Sequence, residues 1–441
     1  MANSNKDLFV FASLDGQFAP AGQLSLDEEG SNLIASSFAY GLRYLERSNA
    51  QEIDPVALTL KNKDEIRGRR LVPPNGLEAF GGIRDAAPDA WGRRVIEARL
   101  KVPSNSLPES TYLLEAGSDR IGALDIRSSL ADQERPAHDT IHNLSYLLDG
   151  AQKIEAGLPV SDALARILVA GSGLGGMRPK ASVRDDEGIL WMAKFPGNND
   201  GLLDIPSIEY ATLQLAELAS LNVAKTKLEQ VGAKKILLVQ RFDRSWNTAS
   251  GPIEIRHHVV SALTLIACHE SEAPTKSYMD IADAIRRYCL VKKIKSDIEE
   301  LYGRMIFNIF ASNDDDHLRN HAFVWDHQLK GWSLSPLYDV MPHAVIASER
   351  YQHLGVGPQG KLSTLDNAYA AKERFGLSPK DAMQIIDRIW RVTRQWRVHF
   401  ETLGISDVQI ERIAPAFRHI DAICSSDLRK LSLPSAASDA P

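Results

Sequence analysis

At 441 residues the chain is too long for one small domain. Its 44% apolar and 24% charged residues sit near the globular average, which excludes a mainly disordered or fibrous protein. Lys and Arg number 51 against 57 Asp and Glu, a formal net charge of −6, so an overall basic nucleic-acid binder is disfavoured while a local basic patch stays open. The cysteines Cys268, Cys289 and Cys424 lie far apart with no Cys-x-x-Cys pair, which argues against a disulfide framework or a zinc site. MANSNKDLFVFASLDG lacks the basic start and apolar centre of a signal peptide, and no window approaches about 18 uninterrupted apolar residues. A soluble cytoplasmic protein with no membrane partner is expected.

Residues 7–13 read as a strand closed by a turn at Asp15-Gly16, and polar and Gly/Pro punctuation follows to Pro73-Pro74-Asn75-Gly76. In 80–100, Asp85 and Asp89 precede a helical stripe of Trp91, Val95 and Ile96, closing an α+β module at about residue 105. The pattern is helical over 139–165, then gives a short apolar strand at 166–170 and a glycine-rich segment at 171–176. A polar strand runs into a turn at Asp185–Gly188, and 189–195 alternates as a strand. Ile205 to Val223 reads as a helix with Pro206 and Ser207 at its start, and 235–242 as a buried strand. Beyond 255 the pattern turns helical. Asp297 can cap a long helix whose stripes of Leu301, Met305, Ile309 and Ile298, Tyr302, Ile306 make a wide apolar face. It runs out at Asn313. Ala322–Trp325 and Trp332–Ser335 form a hairpin around Lys330-Gly331. Ser378-Pro379 opens a helix bearing Trp390 and Trp396 as core residues, and the chain ends in a polar, frayed tail.

Four signals carry chemistry. GSGLGGMRPK (171–180) satisfies G-x-G-x-x-G, but strands rather than a helix follow it, which excludes a dinucleotide fingerprint, and no Gly-Lys-Ser/Thr is present for a Walker loop. A glycine loop between two strands is the kinase arrangement, in which backbone N–H groups approach phosphate oxygens unobstructed by a Cβ. Lys194 lies in the next strand, where a kinase places its phosphate-holding lysine, and Glu209 on the following helix is its candidate partner. Of the adjacent Asp314, Asp315 and Asp316, only Asp315 has an Asn (Asn320) five residues on, the spacing of a catalytic base and a metal-binding amide. Asp339 follows the predicted hairpin, where a kinase keeps its second metal-binding carboxylate. Asn320 and Asp339 suffice on the protein side for magnesium, which takes its other ligands from phosphates and water. There is no His-Arg-Asp, Asp-Phe-Gly or Ala-Pro-Glu, so this is not an ordinary eukaryotic-type protein kinase.

These residues resemble the HipA family of bacterial serine/threonine kinases, the toxins of HipBA-type toxin–antitoxin pairs. FGGIRDAAPDAWGRR, GSGLGGMRPKA, WMAKFP, VQRFDR, Asn313-x-Asp315-x-His317-x-x-Asn320 and PLYDV each resemble a motif of that family. The resemblance implies an α+β, two-lobed protein-kinase-like fold: a small mixed β lobe and a large helical lobe, with an N-terminal α+β module. The segments are 1–105, 106–245 (glycine loop and hinge), 246–425 (catalytic helical lobe) and a tail at 426–441. It implies ATP and Mg as cofactors, with Gly175, Gly176, Met177, Arg178, Pro179 and Lys180 on the phosphates and Lys194 binding phosphate. Gln240, Arg241 and Phe242 would meet adenine mainly through backbone groups, and Asp315 would be the base. His317, Leu318, Arg319, Asn320, Tyr338 and Asp339 would complete the nucleotide and metal site. The implied partners are a protein substrate, in the family a translation-related one such as an aminoacyl-tRNA synthetase, and a HipB-like helix-turn-helix antitoxin through which alone DNA is met. Family members carry an inhibitory autophosphorylated serine seven residues before the loop lysine. That position is Gly173 here, which leaves the adjacent Ser172 as the candidate. A small-molecule kinase of similar fold, or a non-catalytic nucleotide-binding regulatory subunit, are the alternatives. A helix-turn-helix within 378–418, with Ser406 as a cap, is disfavoured by the negative charge.

Overall fold

The computed structural model describes residues 4–136, 138–170, 173, 176–247 and 253–432. Two compact units divide the chain. The first comprises Met1–Gly201, Lys227–His269 and His321–Ser335, and the second Leu202–Thr226, Glu270–Asn320 and Pro336–Pro441.

The first unit begins with β1 (Ser4–Leu14) and β2 (Gln17–Glu29), an antiparallel hairpin whose turn residues Asp15 and Gly16 both have positive φ (52° and 84°), as a tight right-twisted hairpin demands. β3 (Asn32–Tyr40) and β4 (Leu124–Arg127) complete a sheet of order β3-β2-β1-β4. The stretch read as punctuation therefore holds two strands. Leu24, Leu26, Phe38 and Tyr40 point inward, a period of two that the turn residues obscured. Helix α1 (Ala90–Leu100) starts at Asp89, whose carboxylate accepts the Gly92 N–H. Its stripe of Trp91, Val95 and Ile96 is fully buried in a second core, against α2 (Leu144–Glu155) and α3 (Asp162–Val169).

That second core underlies a sheet of β5 (Asp139–Thr140), β6 (Lys180–Arg184), β7 (Leu190–Lys194), β8 (Thr226–Val231) and β9 (Lys234–Gln240), in the order β5-β6-β7-β9-β8. The strand expected at 166–170 is instead the last turn of α3. Ser161 caps the helix, and Leu164, Ala165, Leu168 and Val169 bury one helical face. β5 also precedes the helices where only helix was expected. β10 (Arg244–Asn247) pairs with β11 (Ile253–Arg256), and β12 (Val259–Ser261) with β13 (Ala322–Asp326), which pairs with β14 (Gly331–Leu334). The hairpin around Lys330-Gly331 is thus present. The helical pattern expected from 255 gives way first to β11 and β12, whose buried Val259 and Val260 pack as strand residues.

The second unit is helical. α4 (Ile205–Leu218) ends five residues short of the expected Val223. α5 (Tyr278–Tyr288) opens with a capping box of Ser277 and Asp280. α6 (Ile294–Ala311) is the central helix: every residue from Leu301 to Ala311 is buried. Asp297 lies in its first turn rather than at its cap, which is Lys293. α7 (Pro379–Thr393) starts as read, with Ser378 accepting the Asp381 N–H and Pro at its first position. Trp396 is buried but begins the next helix, Trp396–Thr402, and Trp390 is only half-buried on α7.

Candidate active site

In the first unit, the β6–β7 register sets Lys180 directly opposite Lys194 and Ala181 opposite Ala193. Ala181, Val183, Trp191 and Ala193 face the second core, so by strand alternation both lysines occupy the other face. Like charges directly across a ladder are unfavourable unless an anion offsets them. For Lys180 that anion is Asp89: Nζ donates to Asp89 Oδ2 at 2.6 Å, with both side chains nearly fully buried, and again to Gly176 O at 3.3 Å. Gly176 has φ 114°, and a Cβ there would come within 2.6 Å of the Lys180 ammonium, so only glycine fits. Met177 is exposed, Arg178 pairs with Asp200 at 2.5 Å, and Pro179 O accepts the Phe195 N–H. Gly175 and Ser172 lie outside the described residues.

At the end of β9, Gln240 is half-buried opposite Trp191, and the Arg241 N–H is taken by Leu190 O at 3.0 Å. The Arg241 side chain is buried and donates to Asp243, to Ser182 Oγ and to the carbonyls of Asp119 and Arg120. Its guanidinium is thus a structural tie, while Phe242 is half-buried.

In the second unit, α6 stops at Ser312, which adopts a left-handed backbone (φ 47°) and turns the chain into 313–320. The three adjacent carboxylates then separate by environment. Asp314 takes His343 Nδ1 at 3.1 Å near the surface. Asp316 is buried and accepts the Tyr278 hydroxyl at 2.6 Å and Asn308 Nδ2 at 2.8 Å. Asp315 is exposed, and its carboxylate accepts no hydrogen bond among the described residues. Its backbone is the fixed point of the loop, since Asp315 O accepts both the His317 N–H (2.9 Å) and Asn320 Nδ2 (3.2 Å). The donor half of the Asn320 amide is thereby committed, and its oxygen is the half that can serve a cation.

Leu318 is buried, and Arg319 pairs with Glu270 while its carbonyl accepts the Tyr338 hydroxyl at 2.6 Å. That bond ties the loop to the segment carrying Asp339, whose φ is 58°. Asn313 makes a second tie, donating to Asn308 Oδ1 and accepting the Met341 N–H. The His317 ring sits 6.0 Å from His353, whose pKa is lowered by burial first and His317 next, against the raising effect of Asp315 and Asp316. Burial, then Asp316, pushes the Tyr278 phenol well above its usual value, so it stays a proton donor. Glu209 is buried on α4.

Asp316, Tyr278, Asn308 and Asp89 escape a reading of spacing. The one signal in the sequence is the Pro-Asp-x-Trp-Gly-Arg stretch, where spacing sets Asp89 ahead of a helix and gives it no further partner. For magnesium, Asn320 and Asp339 are a hard-oxygen amide and carboxylate, a donor set that suits the ion. No group of three or more His, Cys, Asp or Glu poised for a metal exists among the described residues.

A glycine turn before an antiparallel strand lysine, an exposed Asp followed by a tethered Asn, and an Asp after a hairpin define a kinase of the protein-kinase-like class. The chain belongs to the HipA family: residues 172–396 match the HipA-like C-terminal domain. It is 26% identical over 348 residues to a Sinorhizobium fredii protein provisionally named kinase Y4mE, spanning 73% of this chain and 74% of that one. It is 25% identical over 145 residues to the serine/threonine-protein kinase toxin HipA of Shewanella oneidensis, spanning 30% of this chain and 33% of the toxin. The solved Shewanella oneidensis HipA, in a complex with HipB and operator DNA, superposes with a TM-score of 0.65 at 16% identity, covering 92% of this chain and 94% of that one. The mixed α/β fold is therefore that of HipA.

Proposed function

We propose that the protein transfers the γ-phosphoryl group of ATP to a serine or threonine hydroxyl of a cytoplasmic protein, and that it is the toxin half of a pair neutralised by a HipB-like antitoxin. The observation that carries this is the sorting of the three carboxylates. Asp314 and Asp316 are engaged, and the exposed, uncommitted one is Asp315, whose own backbone oxygen anchors Asn320. An exposed carboxylate is placed to accept a substrate hydroxyl proton during phosphoryl transfer. Lys194 and Lys180 would hold phosphate oxygens, and the backbone at Gln240–Phe242 would meet adenine. Asn320 and Asp339 would hold magnesium, which supplies neutralisation of the phosphate charge. Support for the partner comes from the Shewanella oneidensis protein, solved with HipB and operator DNA. Among the described residues no helix is long and apolar enough to cross a membrane. The segments 1–105, 106–245, 246–425 and 426–441 are proposed as its functional divisions.

The test is labelling of a dephosphorylated cell extract by the purified protein with radiolabelled ATP and magnesium, beside Asp315→Asn. The wild type is expected to label discrete protein bands at Ser or Thr. Asp315→Asn should lose about 10²–10⁴-fold in rate while binding nucleotide as before. Equal labelling by the variant removes Asp315 as the base. Label found only in small molecules overturns the protein substrate.

A further inference from the structure

Asp89 and Trp91, at the tip of α1, make four hydrogen bonds to the end of α3, to Gly176 and to the start of β6. Lys180 Nζ donates to Asp89 Oδ2 (2.6 Å), the Trp91 N–H donates to Gly176 O (3.3 Å), and Trp91 Nε1 donates to both Lys180 O (2.9 Å) and Leu168 O (3.1 Å). Leu168 is the penultimate residue of α3, Gly176 is the last glycine of the 171–176 segment, and Lys180 is the first residue of β6, so these bonds bracket that segment from both sides. The same Gly176 oxygen also receives Lys180 Nζ, and its missing Cβ is the space that the ammonium occupies. Asp89 does two jobs with its two oxygens, since Oδ1 caps α1 through the Gly92 N–H while Oδ2 holds the lysine. Trp91 is fully buried, and both hydrogen-bond acceptors of its indole N–H are backbone atoms of this region.

From this geometry we infer that Asp89, assisted by Trp91, is a positioning residue for ATP: it orients the Lys180 ammonium and the Gly176 backbone for the phosphates. The inference rests on the proposed reading of Lys180 and Lys194 as phosphate-holding groups. The physical reason is charge. Lys180 stands across the ladder from Lys194, and a buried ammonium without a counter-ion is strongly disfavoured. Asp89 offsets that charge and aims it, so the site meets ATP already arranged, and less binding energy is lost to ordering. Because the phosphates meet Lys180 in both the ground and the transition state, the contribution belongs to binding more than to the chemical step.

The full chain, its Asp89→Asn form and its Trp91→Phe form decide the matter. Asparagine still caps a helix, so Asp89→Asn removes the charge and leaves the start of α1 intact. Phenylalanine keeps the buried ring and removes only the indole N–H. Two readouts are taken: hydrogen exchange of the amides of residues 177–183 without nucleotide, and steady-state kinetics in Mg-ATP. Asp89→Asn is expected to exchange faster at these amides and to raise KM for ATP about 10-fold or more, with kcat at saturating ATP within about 3-fold of wild type. Trp91→Phe should shift both readouts the same way by a smaller factor, and it carries the test alone if Asp89→Asn does not fold. An unchanged or lowered KM in the folded variants overturns the inference, as does a fall in kcat with KM unmoved. Unchanged exchange overturns it as well. If wild type itself turns over no ATP, the proposed function fails, while the exchange data still report on whether α1 holds this strand pair.

Discussion

Asp339 is one of the non-glycine residues whose backbone takes up a positive φ. A left-handed conformation (φ 58°) in a non-glycine residue costs on the order of 1 kcal/mol and persists where surrounding structure enforces it, often at a functional site. Here the Tyr338 hydroxyl on Arg319 O, and Met341 N on Asn313 Oδ1, hold the segment on both sides of Asp339. Asparagine tolerates this conformation as well as aspartate does, so Asp339→Asn isolates the charge. Calorimetry should then find ATP affinity weakened about 10-fold or more with magnesium and little changed without it. An equal effect in both conditions would take Asp339 out of the metal shell. Singling out Asp315 as the candidate among three neighbours needs only the sequence, because a base and a metal-binding amide must stand a set distance apart along one short loop. That Asp316 is the buried one was not legible, since burial depends on what α5 and α6 bring to it.

The loop 313–320 is held by its neighbouring helices as well as by its own bonds. Tyr278 from α5 and Asn308 from α6 converge on Asp316, and Asn308 Nδ2 also lies 3.2 Å from the Tyr278 hydroxyl. Removing one donor leaves a buried carboxylate short of a partner, which costs about 1–3 kcal/mol. Tyr278→Phe is therefore expected to lower the melting temperature by several degrees. It should also reduce kcat by about 10-fold with KM for ATP unchanged, because the neighbouring Asp315 loses its fixed placement. Full kcat in a folded Tyr278→Phe would show that the loop holds itself. The elements that reading by periodicity missed have a common cause. β2 and β3 alternate in and out but are crowded by polar residues, β11 and β12 are short, and α3 runs into a four-residue apolar stretch, 167–170, that suits either state. Packing on a core, absent from a local window, settled each of them.

Across the first unit, a buried charge cluster ties residues 118–127 to 241–256. Asp243 accepts Arg241, Arg244 and the Gly122 N–H; Arg241 and Arg244 both donate to Arg120 O; and the Arg256 guanidinium donates to Ser118 O. Burial would raise the Asp243 pKa, but Arg241 and Arg244 outweigh it and hold the carboxyl below its usual range. Its contribution to stability is present above the ordinary carboxylate pKa and is lost only as strong acid protonates it in the fold. His258 governs milder acid. Burial first, then His327 and His257, depress it from 6.5 to about 3, so the fold keeps it neutral. Between those values the unfolded chain binds a proton that the folded one refuses, so stability falls as pH drops, by up to about 1.4 kcal/mol per pH unit. Denaturant unfolding between pH 7 and pH 5 should show this loss, and His258→Gln should flatten it. A slope unaltered by the substitution assigns the acid sensitivity elsewhere.

Local order along the chain was enough to indicate the kinase class and to nominate the candidate site. The glycine segment, the strand lysine, the Asp and Asn five residues apart and the Asp beyond a hairpin are short-range spacings, and a single loop or strand conveys them directly into geometry. The fold settled what depends on distant partners. It placed Lys180 opposite Lys194 through strand register and joined Asp89 to Lys180 across 91 positions of sequence. It also separated Asp314, Asp315 and Asp316 into a carboxylate hydrogen-bonded to His343, an exposed carboxylate and a buried anchor. Hydrogen bonds and desolvation act over a few ångströms in space, whereas sequence reports only neighbours along the chain, so a charge's partner and its burial emerge only once the chain has packed.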